Sequence, residues 1–253
     1  MVRSMLRALR RRLAPRIALD PSLGTDDFDW SLYHLDYRAQ IEVLAKDILQ
    51  RLEAGDAVFE AGKLHMRRVA SPLHPNHATL YETIGVLAPR SVIEIGCGGG
   101  DHLHNLGILY PTLQRRGFDR SPAQLAFLRE RSPQLAPLTH ILDITMPPAE
   151  DTPTADVVYT QAVLMHIQAG NGHLVALHNM FRMALKQIVL MENWKRHRFV
   201  DDIRLLHECG MLAWAPRFYF RRWAGRPHIL VVSREPLDLD PLQDYQQLLE
   251  PLG

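Results

Sequence analysis

The sequence predicts an α/β protein: a doubly wound, mostly parallel, seven-stranded sheet preceded by a helical N-terminal extension. Three observations lead there. From residue 91 onward, short apolar runs alternate with helical segments, the pattern of strand–helix–strand crossovers. A glycine-rich turn, Gly96 to Gly100, joins one apolar run to the following helix, where sheets of this kind bind ligands. The last two apolar runs are separated by only the Ala-Gly-Arg-Pro stretch at 224–227, too short for a helical crossover, so they pair as an antiparallel hairpin.

The chain has 253 residues, of which 47% are hydrophobic. That is enough for one large domain with an appendage and too apolar for disorder. Two cysteines, Cys97 and Cys209, cannot build a disulfide framework or a cysteine zinc site. No apolar run is long enough for a transmembrane helix. The formal net charge is +1, but it is unevenly spread. Residues 1–19 carry Arg3, Arg7, Arg10, Arg11, Arg12 and Arg16 and no acid; without those six, 23 basic residues face 28 acidic ones. The body is therefore acidic, which disfavours nucleic acid as a partner.

Val2, Leu6, Leu9, Leu13 and Ile17 recur at helical spacing among those arginines. Residues 1–19 thus read as a basic amphipathic arm, expected either to pack on its own domain or to touch an anionic membrane surface. A polar linker at 20–29 leads to a helix at 30–52 with Leu32, Leu35, Ile41, Leu44, Ile48 and Leu52 on one side. Residues 53–77 read as irregular, with Pro75 between His74 and His77 arguing for a loop. Residues 20–77 form an N-terminal helical cap region on this reading, and residues 78–235 the main domain.

That domain opens with a helix at 78–88, stopped before Pro89, and a buried strand at 91–95. After the glycine turn come a helix to about 109, a strand at 113–118 and a helix with Ser121 as N-cap and Pro122 in its first position. Strands follow at 139–143 and 156–160, then a helix at 172–185, a strand at 187–192 and a helix closed by Gly210. The hairpin pairs 217–223 with 228–233. Residues 236–253, rich in Pro, Leu and Asp, read as a loosely packed tail.

The glycine turn carries the chemistry. A nicotinamide-binding G-x-G-x-x-G counted from Gly96 needs glycine at 101, where Asp101 stands. The spacing acidic-x-G-x-G-x-G is met instead by Glu94, Gly96, Gly98 and Gly100. Asp119 ends the next strand, placed to accept hydrogen bonds from a ribose diol. At these residues the sequence resembles the class I S-adenosylmethionine-dependent methyltransferases. Residues 142–144, Leu-Asp-Ile, match that family's adenine-side position, and the stretch 156–167 its fourth-strand motif; the likeness covers residues 78–234. The resemblance implies S-adenosyl-L-methionine as cofactor, held by Glu94, Gly96, Cys97, Gly98, Gly100, Asp119, Arg120, Asp143, Ile144 and Gln161.

Methyl transfer is an in-line displacement that needs alignment and, for a hydroxyl acceptor, a base. His166, six residues past the fourth strand, is the expected base. Glu192, Asn193, Trp194 and His197, leaving the fifth strand, are expected to wall the acceptor pocket. Tyr33, Tyr37, His74 and His77 are further candidates if the N-terminal block closes over the cofactor. The expected reaction is O-methylation of a small-molecule or glycan/lipid-intermediate acceptor in the cytoplasm, with peripheral membrane contact through residues 1–19. A non-catalytic cofactor- or partner-binding module on the same fold is the alternative. No metal site is expected.

Overall fold

The computed structural model describes residues 51–67, 73–168, 170–223 and 226–249. The basic arm and nearly all of the helix expected at 30–52 lie outside them.

Residues read from sequence as irregular begin with a hairpin, β1 (Ala57–Glu60) and β2 (Lys63–Met66), paired from Ala57↔Met66 to Glu60↔Lys63. Its two turn residues, Ala61 and Gly62, both have positive φ, 49° and 78°, as a two-residue hairpin turn requires. Alanine rarely adopts that conformation, so Ala-Gly gives no turn signal. Helix α1 (Pro75–Leu87) starts three residues earlier than its apolar spacing suggests. Pro75 occupies the start of the helix, where its missing N–H costs nothing. His74 is the cap, its Nδ1 accepting from the Asn76 N–H at 3.2 Å.

The main sheet follows: β3 (Ser91–Ile95), α2 (Asp101–Leu109), β4 (Gln114–Asp119), α3 (Pro122–Arg131), β5 (Thr139–Ile141), β6 (Ala155–Gln161), α4 (Gly172–Met183), β7 (Ala184–Met191), α5 (Phe199–Glu208), β8 (Arg217–Trp223), β9 (Arg226–Ser233), β10 (Asp240–Pro241) and α6 (Gln246–Leu249). Strand order is β10-β8-β9-β7-β6-β3-β4-β5. Strands β3 to β7 pair in parallel, and β8, β9 and β10 run antiparallel. The expected seven strands are present, and a two-residue edge strand, β10, makes an eighth.

Both faces of the sheet are covered, and strand alternation shows how. Ile93, Val158, Ile188 and Val232 point to one face, against Leu177 and Phe181 of α4 and Phe199 and Ile203 of α5. Their chain neighbours Val92, Val157, Val189 and Val231 point to the other, against Leu80, Tyr81 and Ile84 of α1. This two-sided burial is why the strands read as continuous apolar runs rather than alternating ones. The stretch after residue 235 is no loose tail. Leu242, Tyr245 and Leu248 are buried in the first of these cores. The Tyr245 hydroxyl donates to the carbonyls of Trp194 and His197, the latter at 2.6 Å.

From β3 the chain goes outward through β4 and β5, then returns to β6 on the other side of β3. That reversal opens a crevice at the carboxyl ends of β3, β4 and β6, the general ligand position in such sheets. No helix among the described residues is long and apolar enough to cross a membrane.

Candidate active site

The crevice is a cavity of about 560 Å³. The glycine turn forms its floor. Gly96 and Gly98 have φ of 73° and 47°, the region that favours glycine. A Cβ on Gly96 would lie 2.4 Å from Val163, so the turn closes against the loop after β6. A Cβ on Gly98 would meet nothing nearer than Gln124 at 3.9 Å, so Gly98 leaves open space where a ligand can approach the backbone.

Asp119, at the end of β4, pins this turn. One carboxylate oxygen accepts from the Gly98 N–H at 2.9 Å, the other from the Ser121 N–H at 2.8 Å. A carboxylate offers about four acceptor positions, so two remain for a diol. Burial pushes its pKa up, opposed by those two backbone bonds and by Arg120. Glu94 is buried at the end of β3, and its Oε2 has no hydrogen-bond partner among the described residues. Burial pushes its carboxyl well above the usual range; Asp101 and Asp119 add to this and the Tyr159 hydroxyl opposes it. Asp143 accepts from the Thr145 N–H and hydroxyl through one oxygen, and its other oxygen faces Arg120 Nε at 3.8 Å. Cys97 is buried and its thiol pKa is raised, first by burial and then by Glu94 and Asp119. It is a small filler of the turn, without thiolate character.

The loop after β6 carries Gln161 and His166. Ala162 has φ of 52°, a strained value for a non-glycine residue. The strain is held by a bond from its N–H to the Met191 carbonyl and by Glu192. Glu192 is buried and accepts from the Thr160 hydroxyl at 2.7 Å and from the Val163 and Met165 N–H groups. Burial raises its pKa and these donors oppose the rise. His166 ends a short 3-10 turn, Leu164–His166, and lines the cavity. Burial, then Arg196, lowers its pKa, so the ring is neutral near pH 7, the form able to take a proton.

The opposite wall is helical. His74, Asn76 and His77 from α1, and His102 from the first turn of α2, face the cavity. The His77 ring meets His102 edge-on, centroids 4.4 Å apart. His102 is held near a pKa of about 4, chiefly by burial. Asp101, the residue that breaks the nicotinamide spacing, is buried and paired with Arg51 and Arg131.

The ten residues expected at the cofactor and His166 all border this one cavity. Glu192, Asn193, Trp194 and His197 do not. The chain after β7 turns away beneath the residues around Tyr245. Trp194 packs edge-on to Phe199, His197 stacks on His173 with centroids 4.1 Å apart, and Asn193 accepts from the Lys195 N–H. Glu192 shapes the wall from behind. The cavity's second wall is formed instead by residues at the starts of α1 and α2. His77 and His74 were candidates from sequence; His102 was not placed at the cavity, although it stands two residues past the last glycine of the turn. Its companion His104, two positions on and hence across the helix, bonds away from the cavity to the Leu52 carbonyl at 2.9 Å.

Comparison with known proteins agrees with this geometry. Residues 93–187 match a family model described as a methyltransferase domain. That stretch, less than half of the chain, resembles a methyltransferase domain. A trans-aconitate 2-methyltransferase from Methylobacterium radiotolerans is 34% identical over 87 residues, 34% of this chain and 32% of that protein. The match thus spans about a third of that curated relative. A TehB-like S-adenosylmethionine-dependent methyltransferase from Corynebacterium glutamicum superposes over 80% of this chain and 98% of its own, with a TM-score of 0.52 and 16% identity. An amino pentose methyltransferase from Micromonospora echinaspora covers 64% of this chain and 91% of its own, with a TM-score of 0.50 and 15% identity. At these identities the two structures speak for the fold.

S-adenosyl-L-methionine is the cofactor of this domain class, and the residues present fit it. The open space at Gly98, the acceptor positions on Asp119 and the unpartnered Glu94 oxygen suit a ligand with a ribose diol and cationic groups.

Proposed function

We propose that this protein transfers a methyl group from S-adenosyl-L-methionine to an oxygen of a small-molecule or glycan/lipid-intermediate acceptor. The observation that carries this reading is that one cavity holds both the acidic, glycine-built cradle of β3, β4 and β5 and the neutral imidazole of His166. The cofactor supplies an electrophilic methyl group on a sulfonium. Asp119 and Asp143 would hold and orient its polar edges, and the buried Glu94 carboxyl would face its positive charge, which favours the ionised form that burial opposes. Gln161 and Ala162 leave β6 at the rim where transfer takes place. His166 would take the acceptor's proton as its oxygen bonds the methyl carbon and the methyl–sulfur bond breaks, the electron pair staying on sulfur as a neutral thioether.

Calorimetry with S-adenosylhomocysteine tests the cofactor claim: micromolar binding is expected, and its absence ends the reading. Transfer of labelled methyl groups into panels of hydroxylated, aminated and carboxylated small molecules and glycans tests the acceptor. Incorporation only into amines would overturn the choice of oxygen. The arm at 1–19 is proposed to touch anionic lipid. Equal flotation on anionic vesicles by the full chain and by a chain lacking those residues would refute that.

A further inference from the structure

The glycine turn is held from outside the cavity as well as from within the sheet. The Gly96 and Cys97 N–H groups donate to the Phe118 carbonyl at 2.7 and 3.0 Å, and the Gly98 N–H donates to Asp119 at 2.9 Å. The Gly100 N–H donates to the Cys97 carbonyl at 2.9 Å. Gly99 borders the cavity, and its N–H has no hydrogen-bond partner among the described residues.

Two arginines grip the Gly99 carbonyl. Arg51 Nη2 donates to it at 3.1 Å and Arg131 Nη1 at 3.5 Å. Both also reach Asp101 Oδ1, Arg51 through Nε at 2.5 Å and Arg131 through Nη1 at 3.2 Å. The planar guanidinium of Arg51 presents Nε and Nη2 in one fixed geometry, so it sets the spacing between the Gly99 carbonyl and the Asp101 side chain. Arg51 is itself delivered by its neighbour. The Leu52 N–H donates to Asn105 Oδ1 at 2.8 Å, and the Leu52 carbonyl accepts from His104 Nε2 at 2.9 Å, both on α2. Three successive glycines, Gly98 to Gly100, have no preferred shape of their own. Here the shape comes from outside: the 99–100 peptide is tied at its carbonyl by the arginines and at its N–H by Cys97. The peptide that carries the Gly99 N–H lies between that one and the 97–98 peptide, tied to Asp119.

On the methyl-transfer reading, adenine and ribose lie at Asp143 and Asp119, past the ends of β5 and β4. The strand order β6-β3-β4-β5 then puts the amino-acid end of the cofactor over β3 and the turn that leaves it. We propose that Arg51, together with Arg131, is a positioning residue for that end: it holds the turn so that the Gly99 N–H receives the cofactor's α-carboxylate. Neither arginine lines the cavity, so both act through the backbone. The start of α2, a nine-residue helix, favours an anion at this place. The buried Glu94 carboxyl, its Oε2 unpartnered among the described residues, suits the cationic groups beside it.

The test is calorimetry on the full chain with two ligands: S-adenosylhomocysteine and its decarboxylated form, which keeps the ammonium and lacks only the carboxylate. The wild type is expected to bind the first about tenfold more tightly, the worth of one charge-assisted bond. Arg51→Met should weaken S-adenosylhomocysteine about tenfold and leave the decarboxylated ligand within about twofold, so that the preference disappears. Equal weakening of both ligands would make Arg51 a merely structural residue and overturn the proposal. So would an unchanged preference in the variant, or a wild type that binds both ligands alike. Arg131→Met supplies the same comparison if Arg51→Met does not fold. A wild type that binds neither ligand removes the cofactor reading and this proposal with it, whereas equal weakening leaves that reading intact.

Discussion

On the sheet side of the cavity, the wall is lined by Glu94, Gly98, Asp119 and Asp143, each at or just past the end of a parallel strand. On the helical side it is lined by His74, His77 and His102, brought together by the packing of α1 on α2. The first wall is fixed by local chain geometry: a strand ends, the backbone turns, and the next residue faces the crevice. The second depends on two helices meeting, and on bonds that cross about 20 to 50 residues of sequence, such as Tyr81 to His102 and Leu52 to Asn105. On the proposed reading the acidic sheet wall takes the cofactor and the imidazole-lined helical wall takes the acceptor. Binding and turnover should therefore separate when each wall is damaged.

The largest separation is expected from His166→Ala. Loss of a general base costs roughly 10²–10⁴-fold in kcat, while S-adenosylhomocysteine affinity should stay within about threefold. Unchanged turnover in the folded variant would remove His166 as base. Because burial and Arg196 lower the His166 pKa, the acidic limb of the wild-type kcat profile should fall below pH 6.5, where free imidazole titrates. A limb above that value contradicts the structure.

Glu192→Ala comes next. It strips the Thr160 hydroxyl and two backbone N–H groups of a buried acceptor, at about 3 kcal/mol in denaturant unfolding, and loosens the loop that closes on Gly96. A purely catalytic defect at full stability would return Glu192 to the substrate wall, where sequence reasoning put it. Asp119→Ala should weaken S-adenosylhomocysteine binding about a hundredfold, roughly 2.7 kcal/mol. Asp143→Ala should cost nearer tenfold, since one of its oxygens already serves Thr145. Equal losses at the two positions would mean that the adenine side is held more firmly than its contacts suggest.

The pH dependence of stability gives the finest test of the helical wall. The folded value of His102, about 4, lies below the ordinary 6.5, so the unfolded chain binds a proton that the native one refuses. Its contribution is complete above pH 6.5 and is lost as pH falls through 6.5 toward 4. The loss is on the order of 3 kcal/mol for this residue. His102→Gln should flatten the melting-temperature profile over that interval. An equally steep profile would place the buried neutral histidine elsewhere.

This contrast also explains how much could be read beforehand. The parallel sheet, the glycine turn and Asp119 follow from spacing, because strand ends and turns are local; Asp143 follows from the family resemblance. The hairpin at 57–66 was hidden because Ala61 adopts a conformation its side chain does not advertise. His74 and Pro75 read as loop because a proline within an apolar rhythm looks like a break, although it is equally a helix start. Glu192, Trp194 and His197 follow a strand end just as Asp119 does. Glu192 instead turns inward to the loop after β6, and the Tyr245 hydroxyl holds the carbonyls of Trp194 and His197, contacts that spacing does not encode.

The packing of Leu242, Tyr245 and Leu248 also has a consequence for how the protein is made. Strand β9 is hydrogen-bonded on both sides, to β7 and β8, yet it follows both in the chain, and the residues that cover its neighbour come later still. During translation, β7 and the apolar faces of α4 and α5 must wait without their final partners until the chain has been made to about residue 248. Between the synthesis of β7 and that of β9 the β7 edge is therefore open to mispairing, and it is closed only when β9 and the residues after it have been made.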